Sequence, residues 1–180
     1  VRDNTTYPYG FDCEWDMEPV HRREGHRKVG KVATIQLSYV IDGITQALVL
    51  KLQTKSDKLP HQLESFLTDP KALFVGFNVS NDFNLVGNDY GIPSLARKVN
   101  SLSLGMMARE RDIVQQGNPR CDEVVERVLG FKLNKSSEVR CSKWSAPRLS
   151  KKQQAYAALD VIKPPDLSQR IDPESCQPGV

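Results

Sequence analysis

Val29-Gly-Lys-Val-Ala-Thr-Ile-Gln-Leu-Ser-Tyr-Val40 alternates with a period of two, placing Ala33, Ile35, Leu37 and Tyr39 on one face and Thr34, Gln36 and Ser38 on the other. That is the pattern of a strand. Asp42-Gly43 behind it is a hairpin signal, so residues 45–52 follow as an antiparallel partner. Ahead of it, Tyr9-Gly-Phe-Asp-Cys-Glu-Trp15 alternates in the same way, with Phe11, Cys13 and Trp15 to one side and Asp12 and Glu14 to the other. A basic, glycine-containing loop over residues 19–28 joins the two. The chain therefore opens as a three-strand antiparallel meander.

Beyond it the period becomes helical. Leu59, Leu63, Phe66 and Leu67 share one face, and Asp69-Pro70 stops them. Ala72-Leu-Phe-Val-Gly76 is a short continuous apolar run, expected of a strand covered on both faces. Helices are expected over residues 80–90, 102–109 and 122–129, with a loop over 112–119. The last helix begins at the N-cap candidate Ser150, carries Ala155, Ala158, Leu159 and Ile162 as its core stripe, and is expected to end at Pro164-Pro165. The expected organisation is a lead-in over residues 1–6, one domain over 7–163 and a polar C-terminal tail over 164–180. The fold class is α/β: a mixed sheet, antiparallel meander plus parallel strands, flanked by helices.

At 180 residues, 39% hydrophobic and 26% charged, the chain has globular composition and the length of one domain. Lys and Arg exceed Asp and Glu by 25 to 22, a net +3 that permits a polyanionic partner without demanding one. No apolar run is long enough to span a bilayer, so no membrane partner is expected. Four scattered cysteines without a C-x-x-C pair argue against a zinc knuckle or a disulfide framework, and for an intracellular setting, nucleus or cytoplasm. The chain does not begin with methionine, which is expected of a domain with neighbours in a longer parent chain.

Four acids stand out. Asp12 and Glu14 project from the same face of one strand, where like charges repel unless a hard cation lies between them. Alone, the pair reads more simply as charges facing water on an edge strand. Asp82 falls in the first turn of a helix, where the helix dipole already favours a carboxylate. Asn78, one turn earlier, is placed to touch a phosphate or orient Asp82, although helix capping is its simpler role. Tyr156 and Asp160 are four apart in the last helix and share a face, with Lys152 continuing the line toward a phosphate. Arg22, Arg23, Arg27 and Lys28 follow the Asp-x-Glu strand as candidate backbone contacts for a nucleic acid, or as a solvated loop. Together the four acids suit two divalent ions about 3.5–4 Å apart, the arrangement of two-metal phosphodiester chemistry.

Phe11-Asp-Cys-Glu-Trp15, Gly76-Phe-Asn-Val-Ser-Asn-Asp82 and Tyr156-Ala-Ala-Leu-Asp160 resemble the three exonuclease motifs of the DEDD superfamily, tyrosine branch, which includes ribonuclease D and the Werner helicase exonuclease domain. Gly30-Lys-Val-Ala-Thr-Ile-Gln-Leu37 and Ser142-Lys-Trp-Ser145 resemble stretches that flank those motifs. In the histidine branch the base stands five residues before the last aspartate, a position held here by Ala155. The resemblance implies a ribonuclease H-like fold and metal-dependent removal of nucleoside 5′-monophosphates from a 3′ end of RNA or DNA. It implies Asp12, Glu14, Asp82 and Asp160 as ligands of two Mg²⁺ or Mn²⁺ ions, Tyr156 as the water-orienting hydroxyl, and single-stranded or 3′-recessed nucleic acid as partner. The runner-up reading is a catalytically weak nuclease-like module that binds nucleic acid or a protein.

Overall fold

Strand β1 (Tyr9–Pro19) is the middle strand of a five-stranded sheet. The structure is a computed structural model that describes residues 8–20, 25–97, 100–115, 119, 121–132 and 136–173. On one side β1 pairs antiparallel with β2 (His26–Ile41), which pairs in turn with β3 (Ile44–Lys51). On the other side β4 (Phe74–Gly76) and β5 (Ser101–Ser103) add in parallel, giving the order β3-β2-β1-β4-β5. The meander and the mixed sheet are as the alternation predicts. Asp42 and Gly43 both adopt positive φ, 50° and 73°, which a two-residue hairpin of this twist requires.

The basic stretch is shorter as a loop than expected. β1 extends to Pro19 and β2 begins at His26, because Glu18 pairs with Arg27 across the hairpin and Lys28 reaches Asp89 at 2.8 Å. Residues 21–24 lie outside the described residues.

Helices cover both faces. α1 (His61–Thr68) and α2 (Val79–Tyr90) pack with Phe11, Ile35, Leu37 and Phe74. On the other face α6 (Lys151–Ile171) crosses β1, β2, β3 and β4, beside α3 (Leu104–Glu110) and α4 (Cys121–Leu129). α5 (Ser137–Arg140) and a 3₁₀ turn over Leu95–Arg97 carry no periodicity long enough to read in the sequence. Residue 102, expected to open a helix, lies in β5, and α3 starts at Leu104.

Three further expectations are corrected. Ala33 does not share a face with Ile35 and Leu37. Trp15 pairs with Val32 and Glu14 with Thr34, so Ala33 is the extra residue of a β-bulge and packs with Trp144 and Ala157. The Val32 N–H is held by Asp89 at 2.7 Å and the Val32 carbonyl by the Tyr90 hydroxyl at 2.7 Å, which clamps the bulge. Second, α6 does not end at Pro164-Pro165 but runs to Ile171, so the tail expected from residue 164 is helical that far and buries Leu167, Ser168 and Ile171. Residues 174–180 lie outside the described residues. Third, the buried side of α6 is Gln153, Ala157, Asp160, Val161, Pro164 and Pro165, whereas Ala155 and Leu159 are exposed. The helix lies on the polar face of β2, whose Thr34, Gln36 and Ser38 are fully buried, so small and polar residues face inward there. No helix among the described residues is long and apolar enough to cross a membrane.

Candidate active site

Alternate positions of β1 carry Gly10, Asp12 and Glu14 onto the face beneath α6, opposite Ser38, Gln36 and Thr34 of β2. From α6 the Asp160 carboxylate meets them: oxygens of Asp12, Glu14 and Asp160 all lie within 4.8 Å of one another. Asp82 comes from the first turn of α2 and reaches hydrogen-bonding range of Asp12. Asp82 is 5% exposed, Asp160 7% and Glu14 9%, so none of these three charges is dissipated into water. Burial, then the neighbouring Asp12 carboxylate, pushes the Asp82 carboxyl well above the ordinary range. Burial also pushes the Cys13 thiol up, with Asp82, Asp12 and Glu14 adding to it; Cys13 packs in the core on the opposite side of β1. The donor set is thus all carboxylate oxygen. It fits Mg²⁺ or Mn²⁺, and its close like charges are what a divalent cation neutralises.

The raised Asp82 value has a consequence for the metal-free protein. Its folded state holds that proton more tightly than the unfolded chain, so the stabilisation is full below the ordinary carboxylate value of about 4 and is lost as pH rises through the raised one. Thermal melts in chelator are expected to show a midpoint that falls as pH rises across this window. Asp82→Asn should flatten the dependence; an undiminished slope would assign it to another group.

A cleft of about 600 Å³ opens onto the acids, walled by Trp15, Phe77, Asn78, Asp122, Ser136 and Arg140 together with half-buried Tyr156. Tyr156 stands one turn before Asp160, with its ring centroid 6.1 Å from that of Trp144. Trp144 is completely buried and donates from Nε1 to the Arg140 carbonyl at 3.0 Å. The loop that carries it is tied at both ends. Ser145 donates its backbone N–H, at 2.8 Å, and its hydroxyl to the Asp16 carboxylate. Gln153 donates to the Ser142 hydroxyl at 3.0 Å and to the Lys143 carbonyl at 3.1 Å. The same Gln153 closes a capping box with Ser150, so the start of α6 is fixed to the loop behind Tyr156.

The structure gathers Asp12, Glu14, Asp82, Tyr156 and Asp160 in one cleft and places Asn78 on its wall, at the N-cap position of α2 but without a side-chain cap bond. It does not bring Lys152 there. Lys152 lines a neighbouring cavity of about 620 Å³ that shares Tyr156 and Ser136 with the cleft. Arg27 is exposed and paired with Glu18, and Lys28 is paired with Asp89; neither lines the cleft. Arg22 and Arg23 lie outside the described residues. Two residues of the site are not singled out by the sequence. Arg140 is the one cation among the described residues of the cleft wall; in the sequence it is one of a basic run, Lys135, Arg140, Lys143, Arg148, Lys151 and Lys152, that reads in part as phosphate contacts and in part as solvated charge, with nothing to single it out. Asp16 anchors the Trp144 loop, and its signal was that it extends the alternation of Asp12 and Glu14.

Comparison with known proteins finds that the 3′-5′ exonuclease family profile matches residues 4–174. Exonuclease 3′-5′ domain-containing protein 2 of Mus musculus is 30% identical over 156 residues, covering 84% of this chain and 22% of the mouse protein. The chain therefore spans less than a quarter of that relative. Brucella melitensis NrnC superposes with a TM-score of 0.71 at 20% identity, over 95% of this chain and 75% of NrnC. NrnC structures also exist with bound Mg²⁺ and bound to pGG. Escherichia coli RNase D superposes with a TM-score of 0.64 at 20% identity, over 94% of this chain and 40% of RNase D. These superpositions identify the sheet and its helices as the ribonuclease H-like fold.

Proposed function

The chain belongs to the 3′-5′ exonuclease family, and from that premise we propose that it hydrolyses RNA or DNA from the 3′ end and releases nucleoside 5′-monophosphates. The observation that carries this reading is the convergence of Asp12, Glu14 and Asp160 within 4.8 Å, with Asp82 against Asp12. These four residues would hold two Mg²⁺ or Mn²⁺ ions, which when bound supply an activated water and stabilise the leaving oxyanion. The chain's own residues do the rest. The Tyr156 hydroxyl, at the cleft wall beside Asp160, orients the attacking water by hydrogen bonding. Arg140 offers a guanidinium to a substrate phosphate, and Asn78 offers an amide. An open cleft of this size admits a single-stranded or 3′-recessed end, and the NrnC complex with pGG supports a nucleotide ligand for this fold. The scatter of the four cysteines, with no C-x-x-C pair, supports an intracellular setting, nucleus or cytoplasm.

End-labelled single strands of RNA and DNA, incubated with Mg²⁺ or Mn²⁺, test the proposal. They are expected to shorten from the 3′ end with release of monophosphates while circular strands stay intact. Cleavage of circles would overturn the exonuclease polarity, and binding without metal-dependent shortening would leave a module without the reaction. Tyr156→Phe removes only the water-orienting hydroxyl, so single-turnover rates should fall about a hundredfold while Mn²⁺ affinity by calorimetry stays unchanged. A large loss of Mn²⁺ affinity would refute that role.

A further inference from the structure

Two features of the chain beneath α6 have no part in the chemistry proposed above. Ser38 is completely buried near the C-terminal end of β2, and its hydroxyl donates to the Val161 carbonyl of α6. In an uninterrupted α-helix that carbonyl would accept from the N–H of residue 165, but residue 165 is proline and has none. Pro164 likewise removes the helical donor for the Asp160 carbonyl. The two prolines thus open the helical ladder at the residue that carries the acid and at the one after it.

Gly10 completes the arrangement. It pairs with Ser38 across the β1–β2 ladder, and a Cβ there would overlap both the Ser38 hydroxyl and the Val161 carbonyl. Gly10 and Asp12 are successive inward positions of β1, just as Asp160 and Val161 are successive residues of α6. Contact at Gly10, Ser38 and Val161 therefore fixes the depth and rotation of α6 one position away from where Asp160 meets Asp12.

We propose that Ser38 is a positioning residue for the Asp160 carboxylate, acting through the Val161 carbonyl that Pro165 leaves without a helical donor. The prolines hand that carbonyl to the sheet, and the sheet then sets where the acid stands. An ordinary helix would satisfy the carbonyl within itself and leave its rotation to side-chain packing alone. This inference rests on the metal-site reading above, and its test separates the two.

The test is Mn²⁺ binding to the full chain by calorimetry, with thermal melts in chelator run alongside. Ser38→Ala is expected to weaken Mn²⁺ binding about tenfold, the scale seen when a group that orients a metal ligand is lost. Leu67→Ala, a buried truncation on the opposite face of the sheet, should lower the melting midpoint and leave Mn²⁺ binding as in the wild type. Adding Pro165→Ala to Ser38→Ala returns an N–H to the Val161 carbonyl, and most of the lost affinity should return with it. Should Ser38→Ala not fold, Ser38→Cys keeps a weaker donor and is expected to show the same effect at smaller size. Wild-type affinity in the destabilised serine variant would make Ser38 merely structural and overturn the proposal, as would a double variant no better than the single. A wild type that binds no Mn²⁺ is a different failure: it removes the metal site itself and the proposal with it.

Discussion

Asp160→Asn is expected to cost at least about a thousandfold in the rate of 3′-end shortening while leaving a folded, more stable metal-free protein. The carboxylate is 7% exposed and lies within 4.8 Å of Asp12 and Glu14, so its neutral isostere removes the charge of a proposed metal ligand without opening a cavity. A metal that stabilises transition-state charge is worth several kcal/mol, and about 4 kcal/mol corresponds to roughly a thousandfold. The same substitution relieves repulsion among buried like charges, so the melting midpoint in chelator should rise rather than fall. Single-turnover assays on end-labelled strands and melts in chelator read the two effects separately. Activity near that of the wild type would remove Asp160 from the ligand set, and a fall in midpoint would show that its charge is compensated in the metal-free fold.

Trp144→Ala is the largest expected loss of stability, about 3–5 kcal/mol, or roughly a 10 °C fall in midpoint for a domain of this size. Trp144 is completely buried, packs with Ala33 and Ala157, and caps the end of α5 through its bond to the Arg140 carbonyl. Because its ring also packs beside Tyr156, the truncation should slow turnover more than it weakens Mn²⁺ binding. Trp144→Phe keeps much of the volume and should recover most of the stability but not the bond to Arg140. Calorimetric melts and a comparison of kcat with Mn²⁺ affinity check this. A small stability loss would mean that the loop over residues 142–145 is held by Asp16 and Gln153 alone.

Much of the site was readable because its chemistry is carried by local spacing. Asp12 and Glu14 share a face by the two-residue period of a strand, and Tyr156 and Asp160 by the four-residue step of a helix. The order of strand, hairpin and helix in the first half was legible for the same reason. Lys152 marks the limit of local spacing. It does lie in line with Tyr156, but a position in line on a helix does not say which of two adjoining cavities the side chain enters. Arg140 is not distinguished from the other members of its basic run, nor Asp16 from an ordinary strand acid, until the chain is folded.

Contacts between neighbouring residues settle the meander, the positive-φ turn at Asp42-Gly43, the capped start of α6 at Ser150, and the faces that carry the acids, and these are written in the local pattern. The bulge at Ala33, the passage of α6 through Pro164-Pro165, and the tie from Asp16 to the Trp144 loop arise from long-range packing instead. Each of these departs from local propensity or period and is held by groups distant along the chain. Ser38 answers for Val161 across 123 residues, Asp16 for Ser145 across 129, and Asp89 for Val32 across 57. A backbone donor or acceptor displaced from its regular ladder must find a partner when it is buried. Pattern within one segment says nothing of which distant residue that partner is.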